Sequence, residues 1–210
     1  SKELSVDFVN YSEVIKTKFP ALQIAYKNFL KHNDVRKNEF EVFCSENSFW
    51  LDDYAIFMSL KSHHDLSSWK EWETKFSQRE EEAMITYSKD HSEEIRFNKF
   101  IQFVFFDQWL NLKEYANKKG VRIIGDIPIY ISADSVETWT QPEIFLFDEN
   151  KDPISVAGVP PDYFSETGQL WGNPIYDWDE LTKGNFQWWK DRIKANLKLY
   201  DIVRIDHFRG

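Results

Sequence analysis

Two short runs of β-branched residues each close on a carboxylate, Val121-Arg122-Ile123-Ile124-Gly125-Asp126 and Ile202-Val203-Arg204-Ile205-Asp206. Side chains alternate along a strand, so Arg204 and Asp206 point to the same side. A guanidinium beside an inward-facing carboxylate supplies a counter-charge and fixes its orientation, which is what a carboxylate nucleophile requires. A structural ion pair at a barrel rim accounts for the same spacing equally well. Asp126 reads first as a cap or a supporting carboxylate that holds its neighbours, because Ile127-Pro128-Ile129-Tyr130 leaves the strand through a Pro-fixed turn.

The connection from Asp126 to Asn185 is far longer than the ~2–6 residues usual between a strand and a helix, and long connections are generally functional. Its centre, Ala157 to Pro174, alternates Pro and Gly with Tyr163, Phe164 and Trp171 and with Asp162, Gln169 and Asn173. A sugar offers apolar C–H faces and a rim of hydroxyls. Aromatic rings suit the faces, while carboxylates and amides hydrogen-bond the rim. One such tryptophan reads as loop packing; the cluster beside two strand-end aspartates reads as a ligand site.

Other chemistries find less support. No glycine-rich phosphate loop occurs, so nucleotide binding is not indicated. His63-His64-Asp65 reads as a solvated helix end rather than a metal site, since adjacent helical histidines diverge and no partner stands at ligand spacing. Glu80-Glu81-Glu82 reads as an exposed face, Cys44 as a core thiol, and Asn10-Tyr11-Ser12 carries little weight as a glycosylation acceptor without a leader. Twenty-six Lys and Arg against 35 Asp and Glu give a net charge of −9, which argues against a sequence-independent grip on nucleic acid or anionic lipid. No run of about 18 apolar residues is long enough for a membrane span, SKELSVDF carries no apolar signal region, and a single cysteine suits a reducing compartment.

The elements that must position these residues divide near residue 120. All seven glycines and six of seven prolines lie from Gly120 onward, so the earlier part reads as helices joined by polar turns. Ser12 to Lys31 spaces Ile15, Phe19, Leu22, Tyr26 and Phe29 by three and four, with Ser12 as cap and a kink or break near Pro20. Asn47 to His63 and Arg79 to Ser88 are further helices. The longest opens at Ser92 and stops at Lys118-Lys119-Gly120, and the apolar run Phe100 to Phe106 predicts burial on more than one face. A helix over Phe186 to Tyr200 precedes the second strand. Helix, buried strand, then a strand-end aspartate, twice over, is the texture of an α/β barrel with a helical region in front.

Three segments carry a resemblance: GDIPIYIS (Gly125 to Ser132), VAGVPPDYFSETGQLWGNPIYDW (Val156 to Trp178) and VRIDHFRG (Val203 to Gly210). They resemble the 4-α-glucanotransferases of the amylomaltase, or disproportionating enzyme, family, dense from about Gly120 onward. Residues 1 to 119 match only in helical, Trp- and Phe-rich character. The resemblance implies an α/β fold, a partial (β/α)8 TIM barrel of the α-amylase-like type with a helical insertion: residues 1–90 an inserted helical subdomain, 91–210 part of the barrel with two strands and the long glucan-binding loop. It implies Asp206 as nucleophile attended by Arg204, with Asp126, Asp162, Phe164, Gln169, Trp171 and His207 binding substrate. No metal and no cofactor are implied. The partners implied are α-1,4-glucans (maltooligosaccharides), with neither nucleic acid nor membrane, in the cytoplasm.

Family members are more than twice this long, and the general acid/base Glu and a further Asp come from later strands. The chain therefore reads as a fragment of a larger enzyme, inactive alone and prone to self-association through open sheet edges. An amylase-type glycoside hydrolase and a non-catalytic glucan-binding module are the alternatives.

Overall fold

A computed structural model describes residues 7–32 and 34–207. The region poor in glycine and proline is helical: α1 (Tyr11–His32), α2 (Asp34–Glu46), α3 (Ser48–His63), α4 (Thr74–Ser77), α5 (Glu81–Asp90) and α6 (Ser92–Lys118). Asn10, not Ser12, caps α1, its Oδ1 accepting the Glu13 N–H at 3.2 Å. The helix runs unbroken through Pro20. α6 stops as its sequence signals predict: the Gly120 N–H donates to Asn117 O and the Val121 N–H to Ala116 O, with Gly120 at φ 76°. That double closure is a Schellman motif, which glycine adopts without steric cost.

Beyond it come β1 (Ile124–Ile127), α7 (Val136–Thr140), β2 (Val156–Val159), β3 (Gln169–Pro174), α8 (Trp178–Lys183), α9 (Gln187–Leu199) and β4 (Ile202–Ile205). Ser135 and Thr138 form a capping box at α7, and the Asp177 carboxylate accepts from two backbone N–H groups at the start of α8. β1 and β4 pair in parallel, while β2 and β3 form an antiparallel hairpin.

The chain divides into two compact units. Unit 1, Ser1–Ser59 with His91–Phe105, is helical around an aromatic core of Tyr26, Phe40, Phe100 and Phe103. Phe29 stands edge-on to Phe40 at 5.6 Å, a favoured arrangement for ring quadrupoles. Phe105 remains 45% exposed, so the run Phe100 to Phe106 is not buried on every side. Cys44 packs against this core, and burial pushes its thiol pKa up, away from reactivity.

Unit 2, Leu60–Asp90 with Phe106–Gly210, holds the strands. One core cluster gathers Ile144, Phe145, Tyr176 and Leu181. Elsewhere the Trp69 indole donates to Ala133 O and the Trp139 indole to Phe76 O. His64 does not form a solvated helix end. It lies past α3, stacks on Trp72, and its Nε2 is 2.7 Å from Glu73 Oε2, a bond that lowers the Glu73 carboxyl pKa. Its ring is 5.3 Å from that of His63, so the two do not diverge. No group of three or more metal-binding side chains occurs among the described residues.

Candidate active site

Parallel pairing of β1 with β4 sets Gly125 beside Val203 and Asp126 beside Arg204. Alternation then puts Asp126, Arg204 and Asp206 on one sheet face. Arg204 meets Asp126 with two bonds, Nε to Oδ1 and Nη2 to Oδ2, each 2.7 Å. The same Nη2 donates to Asp206 Oδ2 at 3.0 Å. One guanidinium thus orients two carboxylates, and among the described residues Asp206 Oδ1 has no hydrogen-bond partner. All three side chains are more than half exposed.

The strand pair is held to register from behind. The Asp201 carboxylate accepts from the Ile123 N–H and from Asn117 Nδ2, both at 2.8 Å, with Lys113 Nζ nearby. The backbone bond heads the causes that lower its pKa. Lys113 Nζ also donates to Lys198 O and Tyr200 O, and the Trp109 indole donates to Leu199 O at 2.8 Å. The Tyr200 ring lies directly on Gly125, where any Cβ would overlap it. Glycine before Asp126 is a packing requirement.

The aromatic connection is a hairpin. A bulge between Val156 and Gly158 twists it, and Gly168 turns at φ 73°. Asp162 Oδ1 accepts the Phe164 and Ser165 N–H groups, each at 2.9 Å, so this carboxylate shapes the tip. Tyr163 and Phe164 project from it 98% and 89% exposed. On β3 the Trp171 indole donates to Gln169 Oε1 at 3.0 Å, and Asn173 Nδ2 donates to Ile131 O at 2.7 Å, which ties the hairpin to the segment leaving β1.

Trp171 joins the two halves of the site. Its ring centroid lies 4.6 Å from His207, the residue after Asp206, and 6.3 Å from Tyr130. His207 is left-handed at φ 54°. Of the residues singled out from sequence, Asp126, Arg204 and Asp206 are joined by ion pairs, and Gln169, Trp171 and His207 form a second linked group. Asp162 and Phe164 make their contacts within the hairpin tip. Phe208, Arg209 and Gly210 of the VRIDHFRG segment lie outside the described residues.

The sequence reading missed the support behind Tyr130. Tyr176 stacks on it at 5.9 Å and 18°. The Tyr176 hydroxyl donates to Ile129 O at 2.7 Å and accepts from Arg192 Nη1 at 3.0 Å. Burial pushes the Tyr176 pKa up to about 12, with Arg192 opposing. Trp188, Trp189 and Arg192 sit at i, i+1 and i+4, and that helical spacing is the signal for an arginine packed on two indoles.

The 4-alpha-glucanotransferase family model matches residues 1–210. A 4-alpha-glucanotransferase of Clostridium butyricum is 50% identical over 205 residues, 97% of this chain and 42% of the relative. That of Thermus thermophilus is 45% identical over 203 residues, 96% of this chain and 41% of the relative. A solved amylomaltase from Streptococcus agalactiae, in complex with acarbose, superposes with a TM-score of 0.90 at 47% identity, covering 96% of this chain and 41% of that one. The chain therefore spans about two fifths of the length of the relatives it matches. Its fold is α/β, part of a TIM barrel of the amylomaltase type, with β1 and β4 as neighbouring parallel strands. With match, superposition and strand-end geometry in agreement, the chain belongs to the 4-alpha-glucanotransferase family.

Proposed function

We propose that the complete protein transfers α-1,4-glucan segments between maltooligosaccharides by a retaining double displacement, with Asp206 as nucleophile. The observation that carries this reading is the shared guanidinium: Arg204 anchors one Asp206 oxygen and, among the described residues, nothing bonds the other, beside a tryptophan-bearing hairpin. Asp206 attacks the anomeric carbon as the glycosidic C–O bond breaks, and a general acid protonates the departing oxygen. The glycosyl ester then yields to the 4-hydroxyl of an acceptor glucan. The hydroxyl proton passes to the same acid/base group, and the ester C–O bond breaks to free the carboxylate. That acid/base group is a carboxyl outside the cluster of Asp126, Arg204 and Asp206.

Arg204 positions Asp206, Asp126 positions Arg204, and Trp171, Gln169, His207, Phe164 and Asp162 contact the glucan. Transfer exceeds hydrolysis only where the acceptor is held in place and water is kept from the ester. The hairpin serves as that screen, so Trp171→Ala raises the ratio of hydrolysis to transfer. The site of action is cytoplasmic. No helix among the described residues is long and apolar enough to cross a membrane.

Maltotriose incubated with the complete protein tests the reading. Glucose together with oligosaccharides longer than the donor is the expected result, and Asp206→Asn abolishes both while leaving maltooligosaccharide binding. Shorter products alone mean a hydrolase. Full turnover by Asp206→Asn overturns the assignment of the nucleophile.

A further inference from the structure

Arg192 lies on α9, away from the charged cluster, yet both terminal nitrogens of its guanidinium are engaged. Nη2 donates to Pro128 O at 2.6 Å, and Nη1 donates to the Tyr176 hydroxyl at 3.0 Å and to Ile129 O at 3.4 Å. Its Cζ lies 5.1 Å from the ring centroids of both Trp188 and Trp189, which are themselves 5.3 Å apart. Those rings in turn pack on Tyr176, both at 5.4 Å. Arg192 thus grips the two carbonyls that immediately precede Tyr130, where the chain leaves β1. From there a continuous series of rings runs to the strand end: Tyr176 on Tyr130, Tyr130 on Trp171, Trp171 on His207.

From this we infer that Arg192 is a positioning residue for glycosyl transfer: by fixing the Pro128 and Ile129 carbonyls and the Tyr176 hydroxyl, it sets where Tyr130 and Trp171 stand beside His207, the residue after Asp206. The inference rests on the proposed function and adds a residue to it. Three acceptors in fixed directions suit the planar fork of arginine, and a lysine ammonium cannot serve them in the same geometry. A misplacement of about 1 Å at a reacting group can reduce a rate on the order of 100-fold, so a loosened Tyr130 is felt at the ester although Arg192 touches no substrate.

The test uses two mild variants of the complete protein, Arg192→Lys and Tyr176→Phe, assayed with maltotriose as donor and labelled glucose as acceptor, well below each melting midpoint. Arg192→Lys keeps the positive charge beside the two indoles. It is expected to raise the ratio of hydrolysis to transfer by about tenfold, together with the acceptor KM. Tyr176→Phe keeps the ring and loses the hydroxyl that joins Arg192 to Ile129, and is expected to move both quantities the same way by less. A merely structural arginine lowers the melting midpoint and leaves the ratio unchanged, so a wild-type ratio in folded Arg192→Lys overturns the inference. If Arg192→Lys does not fold, Tyr176→Phe decides by the same criterion. Asp206→Asn run alongside separates the two readings. Its loss of turnover with an unchanged Arg192→Lys ratio refutes the role of Arg192 alone, and its full turnover refutes both.

Discussion

Replacing Gly125 by Ala strikes the site through packing alone. The added methyl would overlap the Tyr200 ring, where ordinary van der Waals contact begins at 3.4 Å. Strand and ring must part by about 1 Å or more, and overpacking of that kind costs about 1–3 kcal/mol. The ring has little room to retreat: the Tyr200 carbonyl accepts from Lys113 at 3.0 Å, its N–H donates to Asn196 O at 2.9 Å, and its edge meets Trp109 at 5.9 Å. The displaced strand carries Asp126, the next residue, so the two bonds that aim Arg204 move with it. Urea unfolding of the complete protein is expected to register the loss of stability, and maltotriose disproportionation a rate loss on the order of 100-fold. Gly120→Ala is the control: its methyl meets nothing within 4 Å at φ 76°, so it carries only a left-handed strain of about 1–2 kcal/mol and spares the rate. Wild-type midpoint and turnover in Gly125→Ala would refute the argument that Tyr200 sets the register of the strand pair.

Tyr176 predicts an alkaline limit. Its folded pKa of about 12 lies above the ordinary value of 10.0, so the folded state prefers the neutral phenol; up to about 3 kcal/mol is fully present below pH 10 and lost as pH rises toward 12. Thermal midpoints of wild type and Tyr176→Phe between pH 9 and 11.5 check this, the variant showing the shallower fall. Asp201 predicts the acid limb, since its lowered pKa stabilises the fold above the ordinary carboxyl range and that contribution is lost as pH falls through the folded value; Asp201→Asn flattens this dependence. The open outer edges of the β1–β4 pair predict that the 210-residue chain alone associates with concentration, which light scattering after size-exclusion chromatography measures.

How much was legible depends on how local the physics is. The stop of α6 at Gly120, the two β-branched strands and the shared side of Arg204 and Asp206 follow from backbone sterics and a period of two, and those rules act within a few residues. The hairpin was legible only as a loop rich in turn formers, because its pairing rests on contacts between Val156 and Pro174 and on a bulge that no short window contains. Asp162 was read only as a ligand carboxylate; its Oδ1 also accepts the N–H groups two and three residues on and so turns the chain. Arg192 was passed over because its partners, Pro128 and Ile129, stand more than sixty residues earlier. His64 was read from its neighbours in sequence, whereas its partners are Glu73 and Trp72 across a turn.

The charged cluster itself argues for function by its magnitude. Ion pairs as exposed as these contribute about 0–1 kcal/mol to stability, so the fold has little need of them. Three ionisable groups on one face of a two-stranded sheet also forgo the apolar packing that Ile or Val would offer there. Their geometry is nevertheless strict, with three bonds of 2.7–3.0 Å from a single guanidinium. Asp126 takes two of those bonds and so fixes Arg204, which spends one hydrogen bond on Asp206, whose second oxygen has no partner among the described residues. An arrangement that contributes little to stability, demands register from Gly125 and Asp201, and orients a carboxylate beside an aromatic hairpin is what the nucleophilic role proposed for Asp206 calls for.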